Sequence, residues 1–203
     1  MKELLSPIKK TGGPTPDSPT WLTGKFLVAT PGMPDPRFAR SLIYVCSHGP
    51  QGAMGLIVNR LLGEADFPLL LEQLHIQVDR DLAPDIPVQF GGPVEMGRGF
   101  VLHSNDYLRD GTVRIDDSIS VTATIEIIED IAKGKGPKRA LLLLGYAGWS
   151  AGQLEGELKD NGWLTADVDE TILFDPNLET KWECALKQIG IAPAMLSHTQ
   201  GNA

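Results

Sequence analysis

The most informative segment for the fold is residues 140–161, which read ALLLLGYAGWSAGQLEGELKDN. Residues 140–145 are apolar on both faces, and this pattern predicts a central strand that is covered on both sides of its sheet. A glycine-rich turn follows the strand. Ser150 and Gln153 then form an S-x-x-Q capping box, so we expect a helix to begin at Ser150 and to end at Asn161.

Outward from this stretch, short runs rich in β-branched and aromatic residues alternate with turn residues and predict further strands. The turn GPQG at residues 49–52 predicts that the strands on either side of it pair in the antiparallel sense. The further predicted strands cover residues 25–30, 41–48, 55–60, 87–91, 99–103, 118–123, 163–167 and 171–174.

Helical spacing of apolar residues predicts three further helices. Asp66 caps an amphipathic pattern over residues 67–75, and a second pattern runs over residues 125–132. The last helix is expected to begin with a capping box formed by Thr180 and Glu183. Strands outnumber helices and the two kinds mix irregularly along the chain. We therefore assign the α+β class, with one mixed, strongly bent sheet and about four packed helices.

Composition limits the possible classes of protein. The chain has 203 residues, of which 42% are hydrophobic and 22% charged, so it can form a substantial core. Residues 1–20 are rich in proline and are expected to form a mobile tail before a single domain at residues 21–203. Eighteen Lys and Arg face 26 Asp and Glu, which gives a net charge of −8. This acidity disfavours direct, sequence-specific binding of DNA, because such binding needs several contacts from Lys and Arg to phosphate.

Cysteine usage and the start of the chain indicate a cytoplasmic protein. Cys46 and Cys184 are too few for a disulfide scaffold. The opening residues, MKELLSPIKK, do not resemble a signal peptide. The longest uncharged stretch, residues 140–154, is shorter than the roughly 20 apolar residues that a membrane helix needs. We therefore expect no association with a membrane.

Cys46 and His48 form the candidate catalytic pair, because residues i and i+2 of one strand point to the same face. An imidazole beside a thiol can lower the pKa of the thiol and make it a better nucleophile. A thiol-dependent or hydrolytic enzyme would use Cys46 with His48 or with His103. In the structural alternative, Cys46 is a small apolar residue buried in its strand and His48 ends that strand beside a turn. The histidines show no metal-ligand spacing, and the sequence predicts neither a metal nor a cofactor.

Glycine-rich segments supply the candidate ligand-binding residues. Gly91 and Gly92 follow a strand, where they admit either a phosphate or another stretch of backbone. Gly148, Trp149 and Gln153 lie where the decisive strand meets its helix, and exposed backbone N–H groups there suit an anion or a carbonyl oxygen. In the structural alternative the glycines permit tight packing of strand on helix, and Gln153 only closes the cap.

Segments in the same order along about 180 residues resemble the AlgH/YqgE family of bacterial proteins, which are uncharacterised or labelled as transcriptional regulators. The resemblance implies an α+β fold with a branched sheet curled into a pseudo-barrel, over the single domain at residues 21–203. It implies no set of catalytic residues. The matching segments include GKFLVATPGM at 24–33, RSLIYV at 40–45, GAMGLIVNR at 52–60, GGPV at 91–94, GFVLH at 99–103, GYAGW at 145–149 and GQLE at 152–155.

Three functional hypotheses follow from the sequence. The first is a non-enzymatic cytosolic protein of the AlgH/YqgE type, which regulates transcription through an unknown protein partner or small ligand rather than by direct readout of DNA. The lack of any known catalytic spacing favours it. The second hypothesis is the thiol-dependent or hydrolytic enzyme that uses Cys46. A third possibility, a protein that binds nucleic acid directly, is disfavoured by the acidic composition.

Overall fold

The computed structural model describes residues 21–77, 84 and 86–192, so the expected tail at residues 1–20 lies outside this set. Within the described residues, no helix is long and apolar enough to cross a membrane. The strands are β1 (Lys25–Ala29), β2 (Leu42–Gly49), β3 (Gly52–Ile57), β4 (Leu61–Asp66), β5 (Pro87–Phe90), β6 (Val94–Ser104), β7 (Thr112–Arg114), β8 (Ile119–Thr122), β9 (Ala140–Ser150) and β10 (Trp163–Asp167). The helices are α1 (Phe67–Gln73), α2 (Ile125–Ala132), α3 (Gln153–Lys159), α4 (Glu170–Leu173) and α5 (Leu178–Gln188), with a 3₁₀ turn at Pro36–Phe38.

The sheet is organised about β9. The ten described strands form one mixed sheet with the order β10-β1-β2-β3-β9-β6-β8-β7, and β5 and β4 branch from it at β9. β9 is parallel to β5 and antiparallel to β3 and β6. The sheet curls strongly into a half-barrel, which confirms the predicted α+β fold with a branched, bent sheet. The described residues form five α-helices where about four were expected.

The chain crosses β9 directly where it passes from β5 to β6. Both strands pair with residues 142–144 of β9, so they occupy its two opposite edges. The connection at Gly91 and Gly92 therefore passes over β9 at Gly145. A Cβ atom on Gly92 would collide with the backbone of Tyr146, and one on Gly145 would collide with the carbonyl oxygen of Gly92. Only glycine permits two backbones to approach so closely.

Both faces of β9 are buried, as its apolar run predicts. Leu143 belongs to the largest apolar cluster, which α5 covers with Trp182. Leu142 points to the opposite face, into a cluster under α1 and α2. Farther along the strand, Trp149 packs in a third cluster that α3 covers with Leu154. Burial of each large apolar side chain stabilises the fold by about 1.5–3 kcal/mol. Because its side chains enter all three clusters, β9 links three separate parts of the core.

The helix after β9 begins later than its capping box predicts. β9 continues to Ser150, which pairs with Gly52 of β3, and α3 begins at Gln153 with Gly152 as its N-cap residue. Half of the box forms, because the backbone N–H of Ser150 donates to Gln153 Oε1 at 3.0 Å. The predicted start at Ser150 is wrong because pairing with β3 keeps this residue in the strand.

Two predictions nearer the C-terminus are also wrong. Residues 171–174 do not form a strand, because Asp169 caps α4 by accepting a hydrogen bond from a backbone N–H in its first turn at 2.8 Å. The last helix begins at Leu178, with Asn177 as its N-cap residue, and not at the predicted box. Thr180 lies inside that helix, where its Oγ1 donates to the carbonyl oxygen of Asn177 at 3.2 Å.

Local signals in the sequence do not predict β4 and β7. β4 reads LLGEAD and β7 has three residues, so neither carries the alternating pattern of a typical strand. Each forms by pairing with a neighbour, β4 with β5 and β7 with β8. The predicted cap of α1 is confirmed, because the side chain of Asp66 accepts from the backbone N–H of Leu69 at 2.8 Å.

A lysine is buried in the core and is held by backbone carbonyl groups. Lys181 on α5 is completely buried, and its Nζ donates to the carbonyl oxygens of Val58 at 2.9 Å and Leu173 at 2.7 Å. Burial lowers the pKa of Lys181 to about 8, and the nearby charge of Asp175 opposes this change. A neutral amine still has two N–H donors, so loss of the proton leaves both hydrogen bonds available.

Substitution Gly92→Ala is predicted to destabilise the protein by more than about 3 kcal/mol, because the new methyl group enters backbone that cannot move aside. Gly156→Ala is the matched control, since no atom lies within 4 Å of a Cβ at that position of α3. The control variant should be more stable than the wild type by about 0.5–1 kcal/mol. Urea denaturation measures both changes. An unchanged midpoint for Gly92→Ala would contradict the crossing described above.

Lys181 is predicted to make stability rise with pH between about 8 and about 10.5. Because the folded state binds this proton more weakly than the unfolded state does, the penalty is complete below the folded pKa and disappears above the unfolded one. The free energy of unfolding should therefore increase by up to about 3 kcal/mol across this range, relative to Lys181→Met. Urea denaturation of both proteins at several pH values measures the difference. Parallel pH profiles for the two proteins would refute the assignment.

Candidate functional site

A β-bulge in β2 separates Cys46 from His48. Val45 pairs with Gly55 of β3 and Ser47 pairs with Met54, so Cys46 is an extra residue without a partner of its own. The extra residue reverses the alternation of the side chains that follow it. The prediction that Cys46 and His48 share one face is therefore wrong.

Cys46 lies in the largest apolar cluster, which also contains Tyr44. Its side chain is almost completely buried, and its Sγ donates only a weak hydrogen bond to the carbonyl oxygen of Tyr44 at 3.9 Å. Burial raises the pKa of the Cys46 thiol to about 12, because the thiolate would lose its solvation. At neutral pH the group is a thiol, which is a poor nucleophile.

His48 connects residues 22–23 to α3 through hydrogen bonds. Its Nδ1 accepts a hydrogen bond from the backbone N–H of Leu22 at 3.1 Å, and its backbone N–H donates to Thr23 Oγ1 at 2.9 Å. The opposite ring nitrogen, Nε2, lies 3.1 Å from Glu155 Oε1. The ring of Trp21 packs edge-on against the imidazole at 5.1 Å. Because Nδ1 accepts, Nε2 carries the proton and donates to Glu155.

His103 lies in a buried polar chain elsewhere in the sheet. Its Nδ1 is 2.9 Å from the carbonyl oxygen of Ser104, which can only accept, so Nδ1 carries the proton. Its Nε2 then accepts from Thr122 Oγ1 at 2.9 Å, and Thr122 in turn lies 2.8 Å from Thr112 Oγ1. Burial lowers the pKa of His103, against the hydrogen bond to Ser104 and the charge of Asp106. The folded protein thus keeps this imidazole neutral at neutral pH.

The two candidate glycines after β5 face the backbone of β9. Gly91 donates its N–H to the carbonyl oxygen of Leu144 at 2.8 Å and accepts from the N–H of Ile57 at 2.8 Å. Gly91 and Gly92 are both buried. Of the two possibilities that the sequence leaves open for these glycines, the geometry favours the close approach of another stretch of backbone.

Two of the remaining candidates, Trp149 and Gln153, contact a carboxylate that local patterns in the sequence do not indicate. Glu157 on α3 accepts from the indole N–H of Trp149 at 2.9 Å and from that of Trp163 at 2.7 Å, both at Oε2. Its Oε1 accepts from Gln153 Nε2 at 2.9 Å. The i, i+4 spacing of Gln153 and Glu157 is a signal for their contact, but nothing in the sequence connects them with two tryptophans.

This arrangement holds α3 against the end of β9. Trp149 and Trp163 are buried and pack edge-on with ring centroids 6.0 Å apart, so each needs a partner for its N–H group. Glu157 supplies both partners. Gln153 is exposed beside them, and its amide is already bonded at both ends, to the backbone N–H of Ser150 and to Glu157.

The candidate residues thus divide into separate places in the fold. Cys46, His48 and His103 lie in three different environments, and each has its own structural partners. Trp149 and Gln153 meet at Glu157 at the junction of β9 and α3, whereas Gly148 faces the other side of β9, towards Tyr146 and Val94. Among residues 21–77, 84 and 86–192, no group of three or more His, Cys, Asp or Glu side chains could hold a metal ion.

These features define a small α+β protein with a branched half-barrel sheet. Its candidate catalytic side chains, Cys46, His48 and His103, make contacts within the fold. A family model described as AlgH-like matches residues 26–194, so the chain belongs to the AlgH-like family (DUF179). A UPF0301 protein of Jannaschia sp. is 53% identical over 190 residues, which cover 93% of this chain and 98% of the relative.

Solved structures show the same fold. The solution structure of the AlgH protein from Pseudomonas aeruginosa matches with a TM-score of 0.76 and 39% identity, over 93% of this chain and all of the other. The crystal structure of protein DIP2367 from Corynebacterium diphtheriae matches with a TM-score of 0.69 over 89% of this chain and 93% of the other. At 19% identity the second match shows the fold alone.

Cys46 is predicted to resist iodoacetamide in the folded protein and to react only after denaturation. With a pKa raised from about 9 to about 12, its thiolate fraction falls roughly 1000-fold, and burial blocks access as well. Cys184, which is only half-buried, serves as the internal control and should react first. Mass spectrometry of the two cysteine peptides measures both rates. Modification of Cys46 in the native protein at the rate of Cys184 would contradict its burial, and slowing of that reaction by His48→Ala would contradict the bulge.

Proposed function

We propose that this protein is a non-catalytic, cytoplasmic regulator of the AlgH type that influences transcription by binding a partner or a small ligand, and that it does not read DNA directly. The observation that carries the proposal is the structural use of Cys46, His48 and His103. One is a core thiol, one anchors Leu22 to α3, and one is a neutral member of a buried hydrogen-bonded chain.

The enzyme alternative would need a base within hydrogen-bonding reach of the Cys46 thiol. The bulge turns His48 to the other face of β2, and His103 is bound at both ring nitrogens by Ser104 and Thr122. In the described part of the chain, the side chain of Cys46 forms its hydrogen bond with the carbonyl oxygen of Tyr44 and with no imidazole or carboxylate. These contacts favour a binding protein over a thiol enzyme.

The distribution of charge supports an indirect effect on transcription. The chain carries a net charge of −8, and several arginines on its surface are paired with acids. Arg37 pairs with Asp35 at 2.7 Å, and Arg40 pairs with Glu183 at 2.8 Å. α5 is the longest described helix, and it buries one side against the sheet through Trp182. A DNA-reading helix needs an exposed face rich in basic residues.

Complementation of a deletion strain tests the proposal. Deletion of the gene should change the transcript profile, and both Cys46→Ala and Cys184→Ala should restore it, because neither thiol takes part in chemistry. The two variants must first be shown to fold, by circular dichroism. An unchanged profile in the deletion strain would contradict a regulatory role. Failure of folded Cys46→Ala alone would instead support thiol chemistry.

A binding experiment tests the indirect action. The purified protein is mixed with the upstream regions of the genes whose transcripts change, in salt of about 150 mM. We expect no shift that survives competitor DNA at submicromolar protein. A competitor-resistant shift under these conditions would contradict the proposal. Such a shift would require several contacts from Lys and Arg to phosphate, and the net charge of −8 disfavours them.

A further inference from the structure

An open groove of about 510 Å³ lies where the end of α2, the beginning of β9 and the residue after α4 meet. Its apolar lining includes Ile86, Ile131 and Phe174. Sites for small molecules in proteins commonly occupy about 300–1,000 Å³, with a mostly apolar lining and a few placed polar groups. The groove therefore has the size and lining of such a site. It lies apart from the junction of β9 and α3 described above.

The charged residues in the lining of the groove are both cations. They are Lys138 and Arg139, and the described lining holds no carboxylate. Both belong to residues 133–139, which read KGKGPKR, a basic segment in a chain with a net charge of −8. Lys138 and Arg139 thus place positive charge in the described lining of the groove, and positive charge suits an anionic ligand.

The two cations differ in what already binds them. Arg139 forms an ion pair with Glu170, and its guanidinium lies over the ring of Phe174 at 4.8 Å. Its charge is therefore already bound by groups of the protein. Lys138 is exposed, and its Nζ forms no ion pair within the described part of the chain. Asp106 accepts from the backbone N–H of Lys138 at 3.1 Å, and its carboxylate also interacts with the charge of Lys138 without forming an ion pair. Lys138 is therefore the cation that is left to meet a ligand.

The carbonyl groups at the end of α2 do not compete strongly with a ligand for the positive charge of Lys138. Those of Glu129, Asp130 and Ile131 already accept from backbone N–H groups of residues 133–135, at 2.7–3.0 Å. The side chain of Lys133 forms an ion pair with Glu129 at 3.1 Å. The negative end of the helix is thus capped by the same segment that presents the cation.

From these contacts we infer that the groove binds a small amphipathic anion, a molecule with a flat or compact apolar body and one carboxylate or phosphate group. The body packs against Ile86, Ile131 and Phe174, and the anionic group pairs with Lys138. The inference deepens the proposed function, since it names the class of ligand through which the regulator would respond.

Three naphthalene compounds test the inference, because they share one apolar body and differ in the attached group. They are 2-naphthoate, 2-naphthyl phosphate and the neutral 2-naphthol, and isothermal titration calorimetry measures their binding to the full chain. We expect at least one anion to bind about tenfold more tightly than the neutral compound, and the tighter of the two anions identifies the preferred group. Lys138→Glu should weaken binding of that anion by at least about tenfold, and Lys138→Arg should largely preserve it.

Lys159→Glu on α3 is the matched control, with the same change of charge at another exposed lysine. It should change the affinity by less than about twofold. Equal binding of 2-naphthol and the anions would overturn the inference, and so would an anion affinity that Lys138→Glu leaves unchanged. Absence of binding at about 5 mM ligand would overturn it as well. Complementation by Cys46→Ala does not depend on this groove, so the two proposals fail separately.

Discussion

The fold depends on the contact between two stretches of backbone where residues 91–92 pass over β9. Side chains normally keep crossing chains about 10 Å apart, as in stacked sheets. Here Gly92 and Gly145 allow the crossing within one layer, because neither carries a Cβ that would enter the other's backbone. This crossing places β5 and β6 on opposite edges of β9 with a short connection, and it produces the branch from which the half-barrel develops.

The rest of the molecule is arranged around the strand that this crossing holds. β9 buries both of its faces along most of its length and links three apolar clusters, so its ends are rigid supports. At its C-terminal end, Glu157 joins Trp149 and Trp163 and fixes α3. At its N-terminal end, the basic segment before Ala140 borders the groove. One strand therefore positions both the junction with α3 and the proposed groove.

The polar side chains illustrate how burial changes what a residue type can do. Cys46, His103 and Lys181 all belong to reactive residue types, yet burial keeps each in its neutral form more readily than water would. Their partners are backbone carbonyl groups or threonine hydroxyls and not charges of opposite sign. Such groups form hydrogen bonds within the core. The charged side chain of Lys138, by contrast, is exposed to solvent.

Features that depend on local pattern could be predicted: the buried strand at 140–145, the capped helix after Asp66, and the α+β class. The other features depend on contacts between distant parts of the chain. Strand pairing kept Ser150 in β9 and made strands of β4 and β7, which carry weak local signals. One extra residue in β2 turned His48 away from Cys46. Register and crossing are set by contacts between residues far apart in the chain, and a local pattern does not contain that information.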